Sequence, residues 1–309
     1  FSPAPPGVPA ERLAEDQPLS EPFALLLKEL TETPGVSGSE QTVRSRVQAR
    51  LPAWARARSV VDKKGNLLVR LGSPGPPQTI FVAHLDEIGF RVSRIGSQGR
   101  LNVETVGGGS PNLCAWRPVL VHGKTGSVAG ILERRGTVRT GAASIEDAAG
   151  QGIEVGASVT VMKKFRSLLG RRATARSLDD RVGCAVLLSV LASVNPKALP
   201  ALQSGHPVWF AFTVEEEVGL LGADFLAGRV APARVYPVDS FVTSDSPLET
   251  TGIAHAKLGE GFVIRAVDTS GIAPPEAVER VAQLARRRGI LFQRGITAGG
   301  NDGSVVLPH

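Results

Sequence analysis

The chain has 309 residues, 42% hydrophobic and 21% charged, with 35 basic against 29 acidic side chains for a net charge of +6. This supports one large or two smaller domains with a sizeable core and excludes the disordered and collagenous classes. No apolar run approaches the roughly 18 residues of a spanning helix, and two cysteines, Cys114 and Cys184, make neither a disulfide framework nor a Cys-rich zinc site.

Any metal must therefore be held by carboxylates and the five histidines. Arginine outnumbers lysine 27 to 8, which fits genome base composition better than a nucleic-acid partner. The basic clusters, Lys163, Lys164, Arg166, Arg171 and Arg172, then Arg286 to Arg288, lack the interleaved aromatics and motifs of nucleic-acid binding. They read as solvated surface, with no nucleic-acid and no membrane partner.

In chain order, residues 1–20 form a Pro-rich segment expected to be disordered or extended. Residues 21–51 carry a helical pattern, PFALLLKEL then EQTVRSRVQARL, broken by TPGVSGSE. VVDKKGNLLVRL predicts a hairpin turning at Lys64-Gly65-Asn66, and TIFVA a short buried strand from Thr79 to Ala83. From Ile88 to about Arg172 the texture becomes short β-type runs punctuated by glycine, with one helical stretch, SIEDAAGQG, so residues 88–172 are expected to form an inserted β-barrel-like module. LDDRVGCAVLLSVLASV then predicts a helix, PVWFAFTV a buried strand, Gly219 to Leu226 a helix, YPVDS and GFVIRAVD strands, and PPEAVERVAQLARRRG an amphipathic helix closed by Gly289. Alternating strands and helices predict an α/β sandwich with a mostly parallel central sheet, built from residues 21–87 and 173–309.

Ligands of open α/β sheets bind beyond the carboxyl ends of the strands. Four segments place acids or His there: AHLDE (Ala83–Glu87), SLDDR (Ser177–Arg181), VEEEVG (Val214–Gly219) and VDS (Val238–Ser240). Each has an ordinary explanation when taken singly. His84 could be a hydrogen-bonded structural histidine, Asp179 a helix N-cap, Glu215 to Glu217 a solvated turn and Asp239 a turn residue. Taken together they are hard to explain that way, because unpaired buried carboxylates cost several kcal/mol each. A divalent cation would remove that cost, and Asp86 could accept the second ring N–H of His84 and fix its tautomer.

These segments, with TPGVSGSE, DKKGNLLV, VGGG, SIEDAAGQGIEVGASVT, FTVEEEVGLLGA, AKLGEG and GGNDGS in the same order, resemble the dinuclear metallo-aminopeptidases of peptidase family 42, the glutamyl and tetrahedral aminopeptidases. The resemblance covers nearly the whole chain from about Glu21. It implies a three-layer αβα sandwich with a small β-rich dimerisation domain inserted at residues 88–172. It also implies two divalent ions per subunit, zinc or cobalt, with manganese acceptable to such donors. His84 would ligate one ion, Asp179 would bridge both, and Glu217 and Asp239 would be terminal ligands, with Asp245 a rival for the role of Asp239. Glu216 would be the general acid/base and Asp86 the orienting partner of His84. Bridged cations make a nucleophile of water near neutral pH, and Glu216 would pass its proton to the leaving amine. An Asp at position 239 accompanies aminopeptidase activity in related peptidases. Substrates would be peptides with a free N-terminus, and relatives build dimers and often hollow dodecamers.

One departure stands out. The family's fifth ligand is a His well downstream of the GGND segment, whereas here His309 follows Asp302 by seven residues and does not match it. We therefore expect a chain truncated at its C-terminus, with His309 an ordinary loop residue. His122, His206 and His255 match no ligand position. Two other readings are weaker: a metal-free relative acting as an assembly or peptide-binding protein, and an endoglucanase, which needs two carboxyl groups and no metal. The free cysteines favour the cytoplasm, while the non-Met, Pro-rich start permits export.

Overall fold

A computed structural model of the chain describes residues 21–245 and 256–306. The Pro-rich segment, His255 and His309 lie outside the described residues. Among those described, no helix is long and apolar enough to cross a membrane.

The predicted hairpin forms because Asp62 organises its turn. Its Oδ1 accepts the N–H groups of Lys64 and Gly65 at 2.9 Å and of Asn66 at 3.0 Å, an Asx turn that joins strand Ser59–Val61 to strand Leu67–Leu71. The second of these pairs antiparallel with strand Val208–Thr213, which runs parallel to strand Thr79–His84, and that strand is parallel in turn to Arg234–Pro237.

Alternation of side chains sends Leu67, Val69, Ala83, Phe210 and Phe212 to one face, under helices Glu21–Glu32, Gln41–Arg50 and Leu178–Ser193. Leu68, Ile80, Val82, Trp209 and Ala211 face the other way, under helices Leu221–Ala227 and Gly303–Val306. The predicted mostly parallel sheet is corrected here. Two of its four pairings are antiparallel, because the hairpin inserts on one flank of Val208–Thr213.

Beyond Glu87 the chain leaves this sheet and winds a closed six-stranded barrel, then returns through a short hairpin, Arg166–Ser167 with Ala173–Thr174. In spatial order the barrel strands are Gly89–Ile95, Leu101–Val106, Thr137–Arg139, Gly126–Glu133, Pro118–Gly123 and Ser158–Val161, and the last pairs back with the first. Every neighbour is antiparallel. Alternate residues such as Phe90 and Val92, Leu101 and Val103, and Val119 and Val121 fill the interior, which is the period-2 pattern of a one-sided core. The SIEDAAGQG segment forms helix Ile145–Gly150, capped by Ser144 Oγ, which accepts the Asp147 N–H at 3.1 Å.

A second, three-stranded sheet combines Gly271–Ile272, Phe262–Asp268 and Phe292–Ile296, with the amphipathic helix Pro275–Arg287 making the crossover between the last two.

Candidate metal centre

Strand Thr79–His84 runs parallel to Val208–Thr213 in register, Thr213 opposite His84, so the segments after both strands emerge side by side. His84 is 2% exposed at this junction. Its Nε2 lies 2.9 Å from Asp179 Oδ1, 3.9 Å from Glu216 Oε2 and 4.0 Å from Asp239 Oδ1. One donor atom each from His84, Asp179 and Asp239 lies within 4.8 Å of the other two, so these three could hold a metal ion. Glu217 stands just outside that trio, near enough for Asp179, Asp86 and Asp239 to repel its charge. Asp245 is exposed and occupied elsewhere: its Oδ2 accepts from Thr243 Oγ1 and from the Leu258 N–H.

Asp86 is fully buried and does more than orient a ring. Its Oδ1 faces His84 Nδ1 at 3.4 Å, too poorly aligned for a hydrogen bond, and accepts the Glu216 N–H at 3.0 Å. Its Oδ2 accepts Ser37 Oγ–H at 2.6 Å and the Glu217 N–H at 3.2 Å. One carboxylate therefore sits with its charge against the histidine and holds the backbone of both glutamates. The rest of that loop is held from other motifs. Glu40 Oε1 accepts the Glu215 N–H at 3.1 Å, Lys64 Nζ pairs with Glu215 Oε2 at 2.7 Å, and Asn66 Oδ1 accepts the Val214 N–H at 3.1 Å. These contacts support Glu215 at a φ of 56°, strained for a non-glycine residue.

The N-cap alternative for Asp179 fails because Asp180 takes that part. Both aspartates have non-helical dihedrals, and Asp180 Oδ1 accepts the Gly183 N–H at 3.0 Å while its Oδ2 accepts the His84 N–H at 3.3 Å. Asp179, its side chain 57% exposed, is left free to point at His84. Gly183 has no room for a side chain, since a Cβ would overlap the Asp180 carboxyl and the Val238 carbonyl.

The electrostatics are those of several acids converging on one histidine. Burial pushes Glu216 up to about 8 and Glu217 up to about 7, against the pull of His84, and neighbouring carboxylates push the same way. Burial raises Asp239 too, and lifts Asp180 well above the carboxylate range. Burial alone would depress His84, but its contacts with Asp179 and Asp86 outweigh that and hold it well above the ordinary imidazole value. Burial likewise disfavours the charged forms of Asp86 and Asp179, yet their pairing with His84 brings both below the usual range.

Sequence reasoning missed Asp180 and Asp302. Asp302, 4% exposed, lines the same cleft as His84, Asp180 and Asp239. Thr213 Oγ1 donates to its Oδ2, its Oδ1 has no partner, and burial raises it to about 7. The GGNDGS motif was visible, but nothing in the sequence set Asp302 against His84. A donor set of one imidazole and several carboxylates, with raised acids and an unpartnered buried carboxylate oxygen, fits a divalent cation.

The sequence pattern of the M42 glutamyl aminopeptidase family matches residues 65–308, and the chain belongs to that family. It is 31% identical over 294 residues to a protein of Acetivibrio thermocellus, covering 91% of this chain and 85% of that protein. It is 28% identical over 310 residues to the glutamyl aminopeptidase of Lactococcus lactis, covering 91% and 82%. Among solved structures, a Pyrococcus horikoshii peptidase that assembles into a tetrahedron or a large octahedral shell superposes with a TM-score of 0.82, at 34% identity over 92% of this chain and 87% of that one. Membership supports peptide hydrolysis of the aminopeptidase kind.

Proposed function

We propose that the chain is a two-metal aminopeptidase that releases N-terminal residues from peptides. His84, Asp179 and Asp239, with Glu217, would hold two ions of zinc or cobalt, Asp179 bridging. The observation that carries this reading is the convergence of His84, Asp179 and Asp239 within 4.8 Å, with Glu216 Oε2 3.9 Å from the imidazole. When bound, such ions polarise the scissile carbonyl and acidify the attacking water.

Glu216 Oε2 lies 3.9 Å from the imidazole without a ligand role in this scheme, and its backbone N–H is fixed by Asp86. In this scheme its carboxylate accepts a proton from the water as the new C–O bond forms. It then returns that proton to the departing amine as the C–N bond breaks. Asp86 holds the base in place through the Glu216 and Glu217 backbone and carries its charge beside His84. Burial raises Glu216 to about 8, and a cation held beside it would favour the ionised form that a base needs.

Glu216→Gln keeps the shape and removes the base. It is expected to lower turnover roughly 10²- to 10⁴-fold on aminoacyl p-nitroanilides while leaving bound zinc intact; retained turnover would remove Glu216 from the role.

We further read residues 88–172 as a module through which subunits pair, supported by the assembly of the Pyrococcus horikoshii relative. Sedimentation should then give a particle of more than one 32.4 kDa chain, and a monomer at micromolar concentration would contradict it.

A further inference from the structure

The barrel is joined to the sheet by two crossovers, one leaving after His84 and one returning between Val161 and Leu178. A single buried carboxylate spans them. Glu87, 1% exposed, lies on the outgoing crossover, where its N–H donates to the Gly35 carbonyl at 3.0 Å and its own carbonyl accepts the Ser37 N–H at 3.3 Å. Arg176, on the returning crossover, grips it with one forked edge of the guanidinium, Nε to Oε2 at 2.6 Å and Nη2 to Oε1 at 3.3 Å, while Nη1 reaches the barrel carbonyl of Val161 at 3.4 Å. Arg181, wholly buried, closes the triad with Nη2 3.5 Å from Glu87 Oε1 and Nη1 donating to the Leu30 and Thr33 carbonyls at 2.6 and 2.9 Å. The TPG turn makes room for it, since a Cβ on Gly35 would stand 2.7 Å from Arg181 Nη2.

Buried ion pairs are poor sources of stability, and apolar side chains of similar volume would serve as well. A forked pair supplies direction instead. Two members of the triad are each one residue from a group that sets the candidate metal centre, and Arg176 ties them to the returning crossover. Glu87 follows Asp86, which holds the Glu216 and Glu217 backbone, and Arg181 follows Asp180, which anchors the His84 N–H. We propose that Glu87, Arg176 and Arg181 are positioning residues, a clasp that fixes the His84–Asp86 and Asp179–Asp180 segments relative to each other and makes the centre's geometry depend on where the barrel sits. The proposal rests on the metal-centre reading for its catalytic consequence, but not for its structural one.

The test uses the full chain with Arg176→Met, which removes the fork at a partly exposed position, and Arg176→Lys, which restores charge without the fork. Hydrogen exchange of the metal-free protein should rise in residues 84–88 and 177–183 of Arg176→Met and stay unchanged in the barrel strand Pro118–Gly123. Zinc titration should show affinity weakened roughly tenfold, the usual loss when the support of a metal ligand is removed. kcat on aminoacyl p-nitroanilides should fall by a similar factor with KM held within about twofold, and Arg176→Lys should fall between the two. Exchange unchanged at both segments overturns the clasp, as does a loss that spreads evenly over the whole chain. Wild-type protein that takes up no zinc overturns the metal-centre reading instead, and the exchange measurement still decides the clasp.

Discussion

Two histidines in one chain have opposite surroundings. His122, in the barrel, sets Nδ1 2.8 Å from Ser127 Oγ and Nε2 2.9 Å from Thr160 Oγ1, so both ring nitrogens meet neutral hydroxyls. Burial, helped by the nearby Arg176, pushes it down to about 4 and keeps it neutral. His84, at the end of the sheet, meets Asp86 and Asp179 instead and is held far above the usual value. In the barrel, His122 has hydroxyl partners at both ring nitrogens. The sheet end gathers charged groups that satisfy one another only in part, and that unfinished balance separates a candidate centre from a scaffold.

The contrast can be broken from the barrel side first. Leu132 is fully buried in the barrel interior, so Leu132→Ala should cost about 3 kcal/mol of stability in urea unfolding and leave zinc affinity of the folded protein unchanged. A large loss of zinc affinity would show that the two regions are not separable in that direction.

Next is Asp86→Asn, which keeps the volume but cannot accept all of its present partners. We expect a stability loss of roughly 2 kcal/mol and a fall in activity of at least tenfold. Near-normal turnover would reduce Asp86 to a packing residue.

The pH dependence of the metal-free protein sharpens the comparison. Glu216, Glu217 and Asp302 have folded-state values raised to about 8, 7 and 7, so folding favours their protonated forms. That contribution is complete below the ordinary carboxyl value of 4.5 for the glutamates, and is lost as pH rises through 7 to 8. Asp86 and Asp179, lowered by His84, act in the opposite sense below their ordinary value of 3.8, and His122, lowered to about 4, does so below 6.5. The Tm of chelated protein should therefore fall between pH 6.5 and 8.5, and added zinc should flatten the fall. A Tm that rises over that range would contradict the picture of mutually repelling acids.

The smallest effect belongs to His122. Gln can replace both of its hydrogen bonds, so His122→Gln should stay within about 1 kcal/mol of wild type in urea unfolding, with zinc binding unaffected.

Much of this was legible in the sequence, for local reasons. The hairpin turn at Lys64-Gly65-Asn66, the apolar run of the helix Leu178–Ser193, the glycine-punctuated β-type runs of the barrel and the acids after buried strands all lie within a few residues of the groups they serve. What stayed hidden depends on pairs far apart in the chain. The sheet is mixed because Leu67–Leu71 pairs with Val208–Thr213 across some 140 positions, which no local pattern announces. Asp180 looked like the twin of Asp179 until the backbone turned one toward Gly183 and the other toward His84. Glu87 lay inside the AHLDE motif beside Asp86, yet extended backbone sends neighbours to opposite sides, so it faces Arg176 and Arg181 rather than the cleft. Asp302 needed the contact with Thr213, 89 residues earlier, to reach the cleft.

The central claim is that His84, Asp179 and Asp239 together bind a divalent ion, and zinc titration of chelator-stripped protein by calorimetry, wild type beside Asp179→Ala, tests it most directly. The account predicts chelator-reversible uptake by the wild type and an affinity weakened at least tenfold in the variant, with proton release that grows as the pH is lowered from 8 to 7. Identical titrations of the two proteins, or no uptake by either, would contradict it.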